Sequence, residues 1–280
     1  MTAPDATIAL SPCTVLRLAG PDRVRFLNGQ VTNDVRLASP TRAVFSAVLN
    51  AKGQLDAVCW IREHEDAYLL DAPRELRDDL FARLDRYLIA DDVTLTDESD
   101  QWSLVHLPGA APDDLAAGER YACPRFDPES GVDGLTPAGA SSDPPAPVMD
   151  AADLLALRVE RGVPAWGAEL VPGLLPPEAG LDANAISYEK GCYLGQEVIS
   201  RMKRAGKTNR HLVQLEVPAG TTAPADLLHD GQAAGTITSV SPRANDGRSL
   251  ALGYRKRKFE GATAFTAGPG EARVLQRLAG

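Results

Sequence analysis

The sequence predicts an α+β protein that ends in a small β-barrel. Its 280 residues are 44% hydrophobic and 24% charged, which is the balance of an ordinary globular chain rather than of a disordered or fibrous one. Before residue 207, apolar runs typical of strands are mixed with helical patterns, whereas the later residues alternate between apolar and polar with period two. We therefore predict an α+β domain over residues 1–206 and a β-barrel domain over residues 207–280.

The first elements form a strand, a helix and then three strands. A strand at residues 14–20 turns at Gly20, and the Pro21-Asp22 pair that follows favours the start of a helix. That helix carries apolar residues at spacings of three and four. Three strands come next, at residues 42–50, 55–61 and 67–72, joined by a turn at 51–53 and a charged bend at 62–66.

Two later helices have clear patterns. Leucines at every fourth position predict a helix over residues 73–89, for which Asp71 is placed as a cap. A second helix, over residues 150–161, is predicted to be capped by Asp150 and stopped by Gly162.

The segment between these helices is rich in Pro, Ala and Ser. It contains one short candidate strand at residues 120–126, and we predict a loop over residues 136–148. Past residue 207, period-two runs predict strands at residues 211–217, 234–240, 250–256 and 272–278.

Composition and spacing exclude several classes of protein. The formal net charge of −9 opposes general DNA binding. The four cysteines contain no CxxC pair and the histidines have no ligand spacing, so neither a disulfide framework nor a local metal site is expected. The usual phosphate-loop, dinucleotide and hydrolase motifs are missing too. With no secretion signal pattern and no long apolar run, we expect a cytoplasmic protein with reduced thiols and no membrane span.

The densest group of chemically unusual residues is the sequence KGCYLGQE at residues 190–197, called the signature segment below. Apolar residues spaced by four predict a helix that begins within it and runs to about Arg204. Cys192 would then lie at or just before a helix N-terminus, where the helix dipole and nearby Lys190 favour the thiolate. Tyr193 offers a ring for stacking. The alternative is a buried cysteine that packs as a small hydrophobic residue.

Charged residues around this segment have both structural and functional interpretations. Glu197 and Arg201 are spaced to pair on one helix face, which favours a structural role. Between Glu197 and Glu216 there are five cations and no acid, which suits either a solvated face or a site for an anionic tail or acidic partner. By position alone Glu160 is a surface residue, but its carboxylate could also bind the N–H edge of a pterin-like ring.

The signature segment closely resembles the KGCYxGQE signature of the YgfZ family. These are folate-binding relatives of the glycine-cleavage T-protein, and they include mitochondrial iron–sulfur assembly factors. Other segments that resemble the family are GPDRVRFLNGQVTNDV at residues 20–35, LNAKGQ at 49–54, LRVERGVP at 157–164 and PPE at 176–178. The resemblance covers nearly all of residues 10–210.

The resemblance implies a T-protein-like fold that binds tetrahydrofolate and a role in maturing [4Fe–4S] enzymes, with effects on tRNA modification through such enzymes. It implies that Cys192 is the reactive thiol and that Lys190 acts beside it. Folate-binding roles fall to Glu160 and to three residues of the signature segment, Tyr193, Gln196 and Glu197. Arg201, the first of the five cations that follow, is added by its charge, which suits the anionic tail of a polyglutamylated folate.

The sequence departs from its relatives at certain positions. Cys13 and Leu154 stand where some members carry tryptophans that line the folate site. Asp71 is the nearest candidate for the aspartate that the T-protein places near folate N5. Three functions are therefore weighed: an accessory factor for iron–sulfur proteins that binds folate and iron–sulfur clients, a folate-dependent aminomethyl or one-carbon transferase, and a non-catalytic protein that docks an acidic partner.

Overall fold

The computed structural model describes residues 6–115, 118–127, 130–140, 144, 146–268 and 270–278. The chain forms two compact units. The first comprises Met1–Met149 with Asn184–Gln196, and the second comprises Asp150–Ala183 with Glu197–Gly280. The domain boundary expected between residues 206 and 207 stays a prediction.

The first unit contains two antiparallel sheets. In chain order its elements are β1 (Ile8–Ala9), β2 (Thr14–Ala19), α1 (Arg23–Gln30), β3 (Val44–Leu49), β4 (Leu55–His64), β5 (Ala67–Ala72), α2 (Arg77–Asp85), β6 (Thr94–Asp97), β7 (Trp102–Leu107), β8 (Glu119–Ala122) and β9 (Val132–Pro137). One sheet has the order β3-β4-β5-β2-β6 and the other β1-β7-β9-β8. The early strands and the first helix are confirmed.

Helix α2 is shorter than the sequence predicts. A single turn of tighter helix at Arg74–Leu76 precedes it, and α2 itself ends at Asp85 rather than near residue 89. The amide groups of Tyr87 and Leu88 bond to carbonyl groups only three residues back, so the backbone leaves the α-helical pattern there.

Asp71 does not cap this helix, so that prediction was wrong. It lies inside β5, where its carboxylate binds Arg62 and accepts hydrogen bonds of 2.8 and 2.9 Å from Arg125 Nη2. Arg62 likewise lies inside β4, at a position where the sequence predicts a charged bend. Both side chains are buried because their strands lie within the apolar core, so each charge faces an opposite charge instead of water.

Asp133 completes this buried ionic cluster. Arg125 Nη2 lies 2.7 Å and Arg62 Nη2 lies 3.1 Å from its carboxylate, and His106 Nδ1 is 2.9 Å from Oδ1. Burial alone would raise the pKa of Asp133, but Arg125, the His106 hydrogen bond and Arg62 together lower it below its usual range. Burial also lowers the pKa of His106. Two arginines and two aspartates therefore balance each other in the interior of the unit.

The second unit is built around a closed six-stranded barrel. Its helices and strands are α3 (Ala151–Arg161), α4 (Gln196–Ala205, whose first residue belongs to the first unit), β10 (Arg210–Pro218), β11 (Ala225–His229), β12 (Gln232–Asn245), β13 (Arg248–Lys256), β14 (Ala264–Ala267) and β15 (Gly270–Arg277). The barrel order is β10-β13-β12-β11-β14-β15, and apolar side chains from these strands fill its core. The predicted α+β fold with a C-terminal barrel is confirmed.

Helix α3 has the caps that the sequence predicts. The Asp150 carboxylate accepts a hydrogen bond of 2.8 Å from the Asp153 amide, and Gly162 ends the helix with a left-handed φ of 69°. Buried Glu169 fastens α3 to the barrel, since it binds Arg158 at 2.5 Å and accepts a hydrogen bond of 2.7 Å from Ser239. The last turn of α3 is thus held in a fixed place within its unit.

The predicted loop at residues 136–148 is only partly described. Strand β9 extends into it as far as Pro137, and Val148 forms a bridge with Thr7. Residues 141–143 and 145 lie outside the described residues.

In the described part of the chain, no helix combines the length and the apolar content needed to cross a membrane.

We predict that Asp133→Asn lowers the free energy of unfolding by about 3–5 kcal/mol, because it leaves buried guanidinium charge without its partner. The control is Asp66→Asn, since Asp66 is 81% exposed where it pairs with Arg17 and should contribute under about 1 kcal/mol. Urea denaturation measures both values. Because the folded pKa of Asp133 lies below its unfolded value of about 4, the loss should persist from pH 7 to pH 5. Equal losses in the two variants would contradict the role of the buried ionic cluster.

Candidate functional site

Cys192 is exposed, and it lies in a loop four residues before the first residue of α4. The expected position at a helix start was therefore wrong by about one turn. The field of a helix dipole acts mainly within the first turn of the helix, and Cys192 lies outside that turn. What distinguishes this thiol is its accessibility.

The other three cysteines are buried. Burial raises the pKa of Cys13 to about 11, and it raises the pKa of Cys59 and Cys123 as well. These thiols stay protonated and out of reach of solvent. Of the four cysteines of the chain, Cys192 is thus the one available for chemistry.

Lys190 points into the first unit rather than into solvent. Its Nζ donates hydrogen bonds to the carbonyl oxygens of Asn28, Val31 and Asn33, at 2.6, 2.7 and 2.8 Å. An ammonium group has three N–H donors, so these carbonyl groups use all of them. Burial lowers the pKa of Lys190 to about 7, and the Asp34 carboxylate opposes that shift. Lys190 therefore binds backbone, and its ammonium group has no donor left for another partner.

Tyr193 is buried as well, so its ring is not the free stacking surface that the sequence suggested. Lys190 Nζ lies 5.1 Å from the centre of the ring, within the range of a cation–π interaction. Burial raises the pKa of the phenol. Tyr193 thus packs against the lysine and belongs to the support of the loop.

The end of the loop is fastened at two more points. The Leu194 amide donates a hydrogen bond of 3.1 Å to the carbonyl oxygen of Gly29 in α1. Gly195 has a φ of +85°, and a methyl group placed on it would lie 2.7 Å from the carbonyl oxygen of Asn50 and 3.1 Å from Cα of Gly53. Only glycine fits this close approach to the turn at residues 50–54.

Three segments that resemble the same family therefore meet in the first unit. They are residues 20–35, which contain α1, the turn within residues 49–54, and the first six residues of the signature segment. Sequence reasoning found each segment but missed that Asn28, Val31 and Asn33 receive the lysine. A weak signal existed, because the last turn of α1 contains no basic residue to complement its carbonyl groups.

The other candidate residues lie on α4 and α3. Gln196 is the first residue of α4, and its amide bonds to the carbonyl oxygen of Tyr193 at 3.2 Å. Glu197 and Arg201 are both exposed and pair with each other at 2.6 Å, as their spacing predicts. This exposed pair adds little stability, so Arg201 stays accessible to a ligand.

Glu160 lies in the last turn of α3 and its side chain is 37% exposed. Its carboxylate oxygen Oε1 is 3.3 Å from Arg243 Nη1, while Arg243 makes a shorter contact of 2.7 Å with Asp153. The carboxylate therefore has acceptor capacity that an aminopyrimidine edge can use. A carboxylate acceptor of this kind suits the N–H edge of a pterin ring. Glu160, Arg201 and Glu197 all belong to the second unit.

The described residues contain no group of three His, Cys, Asp or Glu side chains placed to hold an ion. The sequence also gave no hint of the buried ionic cluster beyond one pattern. Asp71 stands in strand β5, whose other residues are Ala, Tyr and Leu, and an ionisable residue in such an apolar strand indicates a buried partner.

Comparisons with known proteins agree with the motifs. A protein named "tRNA-modifying protein YgfZ" from Pectobacterium carotovorum is 28% identical over 267 residues, which cover 85% of this chain and 80% of that protein. The resemblance to the YgfZ family is confirmed. A mitochondrial "Iron-sulfur cluster assembly factor IBA57 homolog" from Mycosarcoma maydis is 27% identical over 237 residues, or 77% of this chain and 58% of that one. No protein-family model matches the chain.

A solved structure shows the fold. The glycine cleavage system aminomethyltransferase T from Bartonella henselae superimposes with a TM-score of 0.78, covering 98% of this chain and 86% of that one at 18% identity. The chain therefore has the T-protein fold that the signature segment implied.

We expect Gly195→Ala to lower the free energy of unfolding by about 1–3 kcal/mol, because alanine strains the left-handed backbone and meets the Asn50 carbonyl group. Gly191→Ala is the matched control, since no atom lies within 4 Å of a methyl group at that position. Its effect should stay within about 0.5 kcal/mol. Thermal unfolding compares the two variants, and a Gly195→Ala protein as stable as the control would refute the close approach.

Proposed function

We propose that the chain is a tetrahydrofolate-binding accessory protein for the assembly or repair of [4Fe–4S] clusters in client enzymes, and that it affects tRNA modification through such clients. The observation that carries the proposal is the exposed Cys192 thiol on a loop that is held on one side by the bonds of Lys190 to the end of α1 and on the other by the close contact of Gly195 with the turn at residues 50–54. The names of the two relatives, one tRNA-modifying and one an assembly factor, support it. We place the protein in the cytoplasm, where free thiols stay reduced.

The thiol would act on iron as cargo rather than hold a resident cluster. Clusters are commonly held by four cysteine thiolates, and Cys192 supplies one sulfur. It would lose its proton on binding iron, and the remaining ligands would come from the client or from an assembly protein. This division suits a factor that meets a cluster briefly at a partner's surface.

Folate would be bound by residues of the second unit. Glu160 would accept hydrogen bonds from the pterin edge, and Arg201 would pair with a carboxylate of the polyglutamylated tail. When bound, tetrahydrofolate carries one-carbon units on its nitrogen atoms. Tyr193 lies buried in the first unit and would support the loop rather than the ligand.

A second candidate is a folate-dependent aminomethyl or one-carbon transferase, which the T-protein fold favours. The ion pairs of Asp71 argue against this function, because Asp71 is the nearest candidate for the aspartate near folate N5. Its carboxylate is already engaged in ion pairs with both Arg62 and Arg125, inside the buried ionic cluster. Turnover of an aminomethyl donor with purified protein would favour the transferase over the accessory factor.

In a strain that lacks the gene for this chain, we predict that Cys192→Ser fails to restore the activity of [4Fe–4S] enzymes, because serine oxygen binds iron poorly. The control is Gly191→Ala, which alters a neighbouring exposed position and should restore activity as the natural sequence does. Aconitase-type activity in extracts measures the outcome at matched protein levels. Full restoration by Cys192→Ser would reject the role of the thiol.

We predict that Glu160→Gln weakens tetrahydrofolate binding by about 10- to 100-fold, the value of one or two hydrogen bonds to a charged group. Asp153→Asn is the control, because Asp153 is the other carboxylate that pairs with Arg243. A titration followed by tryptophan fluorescence measures both dissociation constants.

The Arg201→Ala variant tests the tail. It should weaken the binding of a folate with five glutamates more than the binding of a folate with one glutamate. Absence of binding by the natural sequence would remove folate from the proposal.

A further inference from the structure

The position of Cys192 is set by its neighbours rather than by its own contacts. Among the described residues, no hydrogen bond is made by Gly191 or by Cys192, and the Cys192 side chain is exposed. The flanking residues, in contrast, are tightly held. The Ser187 amide bonds to the carbonyl oxygen of Thr32 at 3.1 Å, and the Leu194 amide is anchored to α1.

Lys190 is the anchor closest to the cysteine on its N-terminal side. The carbonyl groups of Asn28, Val31 and Asn33 lie at and just beyond the C-terminal end of α1, where helix carbonyl groups lack internal partners and carry partial negative charge. One ammonium group fits three such acceptors, and no carboxylate of the described residues forms an ion pair with it. An apolar side chain at this position would leave all three carbonyl groups without a donor from residue 190.

This arrangement explains why a buried charge is kept beside an exposed thiol. A buried ammonium is costly, and one that served stability alone could be replaced by an apolar residue of similar size. Here the ammonium group fixes Lys190, two positions before Cys192. The hydrogen bond from the Leu194 amide to α1 fixes the residue two positions after Cys192. Between these points the chain can move only over a short span.

We infer that Lys190 is a positioning residue, whose bonds to the end of α1 fix the place at which Cys192 is presented to a partner. This inference rests on the proposed function, because it takes the thiol as the working group. It departs from the role implied by resemblance, in which Lys190 acts directly beside the sulfur. Lys190 instead acts on the backbone that carries the sulfur.

A nitroxide spin label on Cys192 tests the inference in the full-length protein. A methanethiosulfonate label should react selectively at this site because the other three cysteines are buried. We expect Lys190→Met to retain cooperative unfolding but to shorten the rotational correlation time of the label about threefold, since the loop gains motion. Lys52→Met is the matched control, because Lys52 is an exposed lysine on the turn that contacts Gly195.

Unlabelled variants are compared for [4Fe–4S] enzyme activity in the deletion strain. Lys190→Met should approach the loss caused by Cys192→Ser, whereas Lys52→Met should act like the natural sequence. An unchanged label spectrum in Lys190→Met, or an equal change in Lys52→Met, overturns the inference. If Lys190→Met does not fold, Lys190→Gln is measured by the same criterion, because its amide supplies two of the three donors.

The two proposals can fail separately. Full activity of Cys192→Ser would reject the proposed function, whatever the label spectra show. Inactive Cys192→Ser together with active Lys190→Met would reject the positioning role alone.

Discussion

The site depends on one buried ammonium group and the three carbonyl oxygens that surround it. Lys190 reaches the end of α1 with bonds of 2.6 to 2.8 Å, and the loop that bears Cys192 follows the course these bonds allow. The same contact completes α1, whose last turn has no basic residue of its own. The ammonium group of Lys190 therefore both caps the C-terminal end of α1 and positions the loop, because the negative end of a helix attracts a cation.

The buried ionic cluster of the first unit follows a different rule. Its two arginines and two aspartates are neutral as a group, and the pairs include several hydrogen bonds between 2.7 and 3.1 Å. Such a cluster adds little stability compared with apolar residues, but the loss of one member is costly. Asp71 is held by Arg62 and Arg125 within this cluster, which disfavours its use as the catalytic aspartate of a transferase.

Much of the fold was predictable from the sequence. Strands β3 and β5, the caps of α3 and the period-two pattern of the barrel depend on local rules of spacing and capping, and the structure follows them. The errors occurred where tertiary contacts override local preference. Asp71 precedes a leucine-rich helix and looks like its cap, yet the strand pairing of β5 directs it towards Arg62 and Arg125.

The sequence by itself determined the fold class and the segments that resemble the YgfZ family, because these depend on periodicity and on short motifs, and it singled out Cys192 as a candidate. It could not determine what Lys190 binds. The carbonyl groups that receive its ammonium lie 157 to 162 residues away along the chain, and they are backbone atoms that any residue type carries. Only the folded first unit brings them within hydrogen-bond distance, and this decides that Cys192 is exposed while its lysine neighbour is buried.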